Sequence, residues 1–598
     1  MPVVAVSVNR LNSLLGKSYD MNVLVDALEQ LGCDVEDTDV LALYKCPACL
    51  SPNDKLARED PPKRCDFCGY ESDVAFEKFA TDPVIRLDLL ADRPDLFDAG
   101  GLSRALKGYL GIEQGLSEFS VSQGDVIVDV DPRMSEKDTF RPYIEGAVVT
   151  MPPLDHNSLR EIMRLQENLH WGIGRDRKLS SIGVYDLDTI GSPIKYYPVD
   201  PDDFKFSPLG KPGVQMTPRR ILEEHPKGIA YAHLMEDYKK YPILEDSQGQ
   251  VLAMPPIINS EETKLKIGSS RLFIDVTGIT QNAVKDSLNT LVSALIELGG
   301  QVETVRINYP DGPSITPDLI PERIDVHYTE AKHWLGFEFA PEDFMGYLRK
   351  MRLNISLKEE DVYEVVYPVF RTDIRHEVDI FEDLAIGFGY SKIPLKLVPS
   401  LTVGESRPEE AVSQIVRDIM IGLGFTESLS LLLQSVERHF TKFRLESGEE
   451  HVIVENPKTL EQKIARSHLM TGILETFQKN RRKTMPLKIF ELGNVILINP
   501  ETETGVNEYR HLAFGIIGPD AGYSEARSVL DSILRELGTK GNYSPLDHPS
   551  FCEGRAAEVT ENNGGFLALL GEIHPEVLNN FDLTYPAVYC ELRLKQVI

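Results

Sequence analysis

Two C-x-x-C pairs near the N-terminus constrain this chain more than any other feature. CPAC (Cys46, Cys49) and CDFC (Cys65, Cys68) are separated by fifteen residues. Each pair forms a tight knuckle that aims two sulfurs at one point, and two knuckles at this spacing match a four-thiolate zinc site. The intervening LSPNDKLAREDPPKR is polar and proline-rich, as suits a loop ordered by a metal rather than by a core. Two disulfides or coincidence are the other readings. Four thiolates leave no open coordination position, so the expected role of zinc is structural. The other cysteines, Cys33, Cys552 and Cys590, are scattered and make the total odd, which favours a reducing compartment. No signal-peptide pattern opens the chain and no apolar run reaches the ~20 residues of a membrane span. A cytoplasmic protein is the expectation.

At 598 residues the chain is long enough for several domains at roughly 150 residues each. Its 93 Asp+Glu against 63 Lys+Arg give a formal net charge of −30, which repels nucleic acid on average. Any phosphate partner must therefore be met by local basic runs: GRDRK (174–178), TPRR (217–220), RKMR (349–352) and QKNRRK (478–483).

The pattern along the chain predicts an α+β multidomain protein. Residues 1–79 read as an opening strand (VVAVSVN), a helix (NVLVDALEQLG) and the cysteine insert, about 44–70. Residues 80–285 read as mixed strands and helices. They include an amphipathic helix with Leu102, Leu106 and Leu110 on one side and the long helix LREIMRLQENLHWGIG. INYPDGPSITPDLIPE reads as a proline-rich linker, followed by a small domain over 318–396. Residues 397–598 alternate long helices with strands such as KIFELGNVILI and AVYCELRL, consistent with an antiparallel sheet.

The chain carries no G-x-x-x-x-G-K-[ST] phosphate loop, no H-E-x-x-H and no G-x-S-x-G. Carboxylates are the conspicuous chemistry. RTDIRHEVDIFEDLAIGFGY places Asp379, Glu382 and Asp383 at i, i+3 and i+4, with Asp373 just upstream. Phe381, Leu384, Ala385 and Phe388 are expected on the opposite, core-facing side. Four converging carboxylates suit magnesium, and a solvated polar face is the bland alternative. Asp379 to Tyr390 contains no Lys or Arg to relieve repulsion. His468 and His511 read as packing or capping residues, and Trp171 and Trp334 as core or domain-contact anchors.

At this point the sequence resembles the beta subunit of phenylalanine–tRNA ligase in its archaeal/eukaryotic form. The markers run in order from DRPDL near residue 92 to the C-terminus. They are SIGVYDLDTI (181–190), VLAMPPIIN (251–259), FIDVTG (273–278), the RTDI…GFGY block, VENPKT (454–459), ARSHLMTGIL (465–474), PLKIFELGNV (486–495), YRHLAFGIIG (509–518), GRAAEV (554–559) and LGEIHPEVL (570–578). Each is modest, but their shared order is specific. The cysteine insert is not a general feature of that family.

The resemblance implies a tetramer of two alpha and two beta chains, with tRNA as partner and ATP as a substrate of the complex. The aminoacylation site lies on the alpha subunit. It also implies a mixed α/β editing domain, a small winged-helix-like domain and a C-terminal domain built like a class II synthetase without its catalytic residues. FRLE (Phe443–Glu446) superficially fits a class II arginine motif, but it lies in a polar loop with no glycine-rich partner strand and reads as a decoy. By resemblance, Asp373, Asp379, Glu382 and Asp383 hold magnesium together with the alpha chain.

Residues 80–285 are implied to hydrolyse mischarged tyrosyl-tRNA. A pocket built for phenylalanine rejects an isostere with one extra hydroxyl only ~10²-fold, so a second sieve is useful. Its implied residues are Asp275 and Thr277 of DVTG, Asn259 after the MPPII stretch, and Leu244 as an apolar wall. Orientation of water suffices for an activated ester. Strand-end capping is the alternative for Asp275 and Thr277. Ala253 stands where related chains carry serine, which removes part of the polar lining. Two rival functions are a zinc-stabilised RNA-binding scaffold without catalysis and a free-standing tRNA deacylase.

Overall fold

The structure is a computed structural model. It describes all residues except 1–2, 48–51, 66–69, 137–138, 140, 399, 401, 449–450, 563 and 595–598. Two compact units, Met1–Leu397 and Val398–Ile598, are described separately.

Unit one is organised on three sheets. The first has four strands in the order Val3–Ser7, Glu77–Asp88, Asp34–Lys45, Pro52–Leu56. Its outer strand Pro52–Leu56 comes from the segment between the cysteine pairs, and it pairs Asn53 with Tyr44 and Asp54 with Leu43. The expected opening strand stops at Ser7, whose hydroxyl accepts from Arg10 N and caps an unforeseen helix, Val8–Leu15. That helix places Leu11 and Leu15 on one buried side.

The second sheet has eleven strands and holds the site. Next to its last strand, Arg271–Gly278 lies between Tyr143–Thr150 and the end strand Ser180–Asp186, antiparallel to both. Every residue of Arg271–Gly278 after Arg271 is buried, because side chains on both faces meet core. Helix Gln281–Glu297 covers one face. Helix His156–Trp171 starts at Asp155, whose carboxylate accepts from Ser158 N. The amphipathic helix expected around Leu102 is Ala99–Tyr109, with Leu102 and Leu106 buried.

The expected linker is not one. Its residues form the hairpin Gln301–Tyr309 and Gly312–Thr316, and the first of these strands pairs inside the eleven-stranded sheet with Tyr143–Thr150 and Ile127–Val130. Its prolines sit outside the ladder interior or at the hairpin edge, where a missing N–H costs little. The sheet therefore runs well beyond residue 285. The third sheet, Glu322–His327, Val362–Tyr367 and Asn354–Leu357, carries helix Glu377–Phe388 alongside.

Unit two is a seven-stranded sheet in the order Thr426–Glu427, Leu487–Ile498, Val506–Ile517, Ala587–Arg593, Phe566–Ile573, Phe551–Thr560, Asn542–Pro545. All neighbours are antiparallel except the first pair. Alternation sorts its side chains: Leu512, Phe514 and Ile516 pack under helices Pro408–Gly422 and Tyr523–Glu536, while Ala513 and Ile517 pack under Met470–Asn480. Trp171 and Trp334, expected as core or domain-contact anchors, are both exposed, so neither is a core residue. His511 Nδ1–H donates to Glu591 Oε1, 2.6 Å away, and His468 stacks on His439 with ring centres 3.8 Å apart.

Candidate functional site

A cavity of ≈ 460 Å³ opens beside strands Arg271–Gly278 and Ser180–Asp186 of the eleven-stranded sheet. The register explains what meets there. Asp275 lies directly opposite Gly183 on the neighbouring strand, and Tyr185 follows two residues later on the same face. A Cβ at position 183 would come within 1.9 Å of the Tyr185 hydroxyl and 2.4 Å of Asp275 Oδ1. Only glycine leaves room for the two oxygens to approach over that position.

Both oxygens are buried, and apart from each other neither Asp275 Oδ1 nor the Tyr185 hydroxyl has a hydrogen-bond partner. Burial pushes the Asp275 carboxyl up to about 7, against the opposing pull of the adjacent Tyr185 hydroxyl and of Arg141. A single phenol hydroxyl placed between them would donate to the carboxylate and accept from the tyrosine. An unpaired buried polar group costs about 1–3 kcal/mol, so this arrangement favours a ligand that supplies both halves.

Asn259 and Ala253 line the same cavity, from strands paired to each other. Thr277 and Leu244 do not line it. Thr277 belongs to the scaffold of Arg141, a fully buried guanidinium that donates to Thr277 O (2.6 Å), Arg177 O (3.1 Å) and Ser181 Oγ (3.2 Å). Leu244 pairs with Ala253, on the same face, and is fully buried in the apolar cluster that also holds Tyr185 and Ala253, so it packs under the cavity wall.

Helix His156–Trp171 supplies residues the sequence reading missed. Gln166 Nε2 donates to Ile182 O at 2.6 Å and leaves its Oε1 as a buried acceptor at the cavity. His170 Nε2 accepts from Ile182 N at 2.8 Å, and burial lowers its pKa, so it orients a strand rather than moving protons. Glu167 binds Arg177 at 2.7 Å, and Arg177 also donates to the carbonyls of Pro256 and Ile257. Arg175, Asp176 and Arg177 all have left-handed backbone (φ 45, 56 and 66), a costly run that these hydrogen bonds hold in place. The spacing of Ser181, Gly183 and Tyr185 was a readable period-two signal; their alignment with Asp275 was not.

The carboxylate block does not converge. Asp379 caps its own helix, accepting from the backbone N–H groups of Arg375 and His376 at 2.7 Å each. Glu382 is exposed. Asp383 is buried on the core side, correcting the expectation that it shares the polar face, and pairs with Arg371 at 2.8 Å. The same guanidinium holds Asp373 at 2.7 Å, and Arg93, itself bound to Asp95, lies 4.0 Å from Asp373. Burial raises the Asp383 pKa; Asp373 is held below the usual carboxylate range because Arg371 outweighs its burial. Among the described residues no group of three or more His, Cys, Asp or Glu is placed to hold a metal ion. The carboxylates of this chain do not by themselves fit magnesium.

Of the four cysteines expected to hold zinc, two lie within the described residues. Cys46 and Cys65, one from each pair, are fully buried in one small cluster with Ala42, Tyr44 and Phe76. Asn53 Nδ2 lies 3.6 Å from Cys65 Sγ, the kind of donor that surrounds a metal-bound thiolate. Cys49 and Cys68 lie outside the described residues. The FRLE decoy is far from any such arrangement: Arg444 donates to Pro549 O at 2.8 Å and pairs with Glu576. No helix is long and apolar enough to cross a membrane among the described residues.

The class follows from the comparisons with known proteins. Residues 324–390 match the tRNA synthetase B5 domain, and residues 393–594 match the Phenylalanyl tRNA synthetase beta chain CLM domain, so this is a synthetase-type chain. Phenylalanine–tRNA ligase beta subunits from Methanosphaera stadtmanae and Methanocaldococcus jannaschii are 38% and 37% identical to it. The first match covers 86% of this chain and 93% of the relative, the second 88% and 94%. A crystal structure of an N-terminal fragment of the Pyrococcus horikoshii beta subunit aligns with TM-score 0.55 and 33% identity, over 65% of this chain and 99% of the fragment. The chain belongs to the phenylalanine–tRNA ligase beta subunit family.

Proposed function

We propose that this chain is the beta component of a complex that attaches phenylalanine to its tRNA at the expense of ATP. The aminoacylation site lies on an alpha partner in an alpha2beta2 tetramer, and this chain's own chemistry is removal of mischarged tyrosine. The adjacent, buried oxygens of Asp275 and Tyr185, which face no other polar partner, carry this reading. A tyrosyl phenol satisfies both, whereas a phenylalanyl ring strands both in apolar surroundings. Asn259 and the Gln166 Oε1 acceptor line the same cavity as candidates for orienting the attacking water. Thr277 contributes by fixing Arg141 behind the strand, and Leu244 by filling the core beneath it.

Unit two carries exposed leucines where a partner would be expected: Leu429, Leu431 and Leu460 are 83%, 67% and 76% exposed. Isolated chain is expected to show no phenylalanine-dependent ATP–pyrophosphate exchange, and the mixture with its alpha subunit to show it. Leu431→Asp should abolish co-purification with alpha while leaving tyrosyl-tRNA hydrolysis in place. Exchange by the isolated chain would overturn the division of labour.

Zinc is assigned to Cys46, Cys49, Cys65 and Cys68 as a structural ion that supplies cross-linking and no reaction step. Elemental analysis is expected to give one zinc per chain, and Cys65→Ser to lose it. A magnesium ion at Asp373, Asp379, Glu382 and Asp383 would need ligands from the alpha subunit and release of Arg371.

A further inference from the structure

The cysteine segment reaches the cavity. Strand alternation turns Asn53 inward to Cys65 and sends Asp54 the other way, onto helix His156–Trp171. There the Asp54 carboxylate meets Arg164 at 2.5 Å and Arg160 at 3.4 Å. All three side chains line the ≈ 460 Å³ cavity, and all three also line a second cavity of ≈ 380 Å³ next to it. The ion cluster is thus a partition between two openings.

Elsewhere in the cavity Glu167 holds two cations, Arg177 and Lys227. At the partition one carboxylate faces two guanidinium groups, and Arg160 Nη1 is buried without a hydrogen bond of good geometry. Arg160 and Arg164 are one helical turn apart, so both present their heads to the same point. Paired guanidinium groups at that spacing match a phosphate, which offers the additional acceptor oxygens that one carboxylate lacks.

We infer that Arg160 and Arg164 form a phosphate subsite for the single-stranded 3′ end of the RNA, and that Asp54 of the cysteine segment occupies it when RNA is absent. The inference rests on the editing reading for the identity of the ligand. Bound RNA displaces Asp54, so the segment acts as a competing anion that weakens non-productive RNA at the cavity. It also gives the insert a purpose in a chain of net charge −30, where positive charge must be kept local.

The test measures binding of a short single-stranded RNA ending in CCA to the full chain, by fluorescence anisotropy at two salt concentrations. Asp54→Asn is expected to tighten binding about fivefold, and Arg164→Gln to weaken it about fivefold and reduce the salt slope by about one. In the double variant the gain from Asp54→Asn should largely vanish. Unchanged affinity in Asp54→Asn, or a fully additive double variant, would overturn the inference. Arg164 is half exposed, so its variant reports even where Asp54→Asn fails to fold. Hydrolysis of tyrosyl-tRNA by the parental chain with its alpha subunit is measured in parallel. Its absence would sink the editing reading alone, whereas intact hydrolysis with unaltered RNA binding in the variants would sink this inference alone.

Discussion

Asp275→Asn is expected to lower kcat/KM for tyrosyl-tRNA hydrolysis by about two orders of magnitude, with phenylalanylation by the complex unchanged. An amide at this position keeps the shape but weakens the acceptor that the tyrosyl hydroxyl requires. Tyr185→Phe removes only the donor half and should cost about tenfold. The raised Asp275 pKa sets the pH dependence. Below about 7 the carboxyl is largely neutral and a poor acceptor, so hydrolysis by the parent should rise between pH 6 and 8. Asp275→Asn should flatten that rise. Stability moves the other way. A carboxyl whose folded pKa is raised favours the folded state most at low pH, and that contribution is lost as pH climbs toward about 7. The variant has no such loss, so relative to the parent it should be more stable at pH 8 than at pH 5. Denaturant midpoints at the two pH values check the sign. Hydrolysis at the parental rate, with the pH profile intact, would remove Asp275 from the site.

Much of this architecture could be read from local pattern. Helices with a four-residue apolar repeat, such as Ala99–Tyr109, and strands such as Leu487–Ile498, read from KIFELGNVILI, appear where the pattern placed them. Asp275 and Asn259 line one cavity, and the first cysteine of each pair is buried in one small cluster. What escaped was long-range. INYPDGPSITP looked like a linker because proline and glycine dominate it, yet both its strands are paired in the structure. Val8–Leu15 escaped because its apolar residues continue those of the preceding strand, and only the Ser7 cap separates them. Asp383 was placed on the polar face because its neighbours at i−4 and i−1 are acidic. Its actual surroundings are set by Arg371, twelve residues away and oriented by a turn. Thr277 shares the face of Asp275 and Leu244 that of Ala253, but Ser181 and Ala253 stand between them and the opening, a layering that no single-strand pattern records.

Arg371→Met gives the sharpest separation between a magnesium site and a clasp of ion pairs. Arg371 is 4% exposed and sits between Asp373 and Asp383, the latter only 2% exposed. Removing it leaves Asp383 facing apolar surroundings with only the more distant influence of Arg93, and breaking such a pair costs about 3–5 kcal/mol. The full chain should therefore unfold at clearly lower denaturant. The loss depends on pH in a defined direction. The lowered pKa of Asp373 contributes stability above the usual carboxylate range and loses it as pH falls. Without Arg371 that contribution disappears, while Asp383 escapes its unpaired charge by taking up a proton at low pH. The deficit should be larger at pH 8 than at pH 5. A divalent cation working here would behave differently: millimolar magnesium would raise the unfolding midpoint of the parent and would do so more strongly in Arg371→Met, where the competing guanidinium is gone. The clasp predicts no magnesium-dependent shift in the isolated parent, because the guanidinium of Arg371 already occupies the position a cation needs. A magnesium-dependent rise in the parent would return Asp373 and Asp383 to the metal.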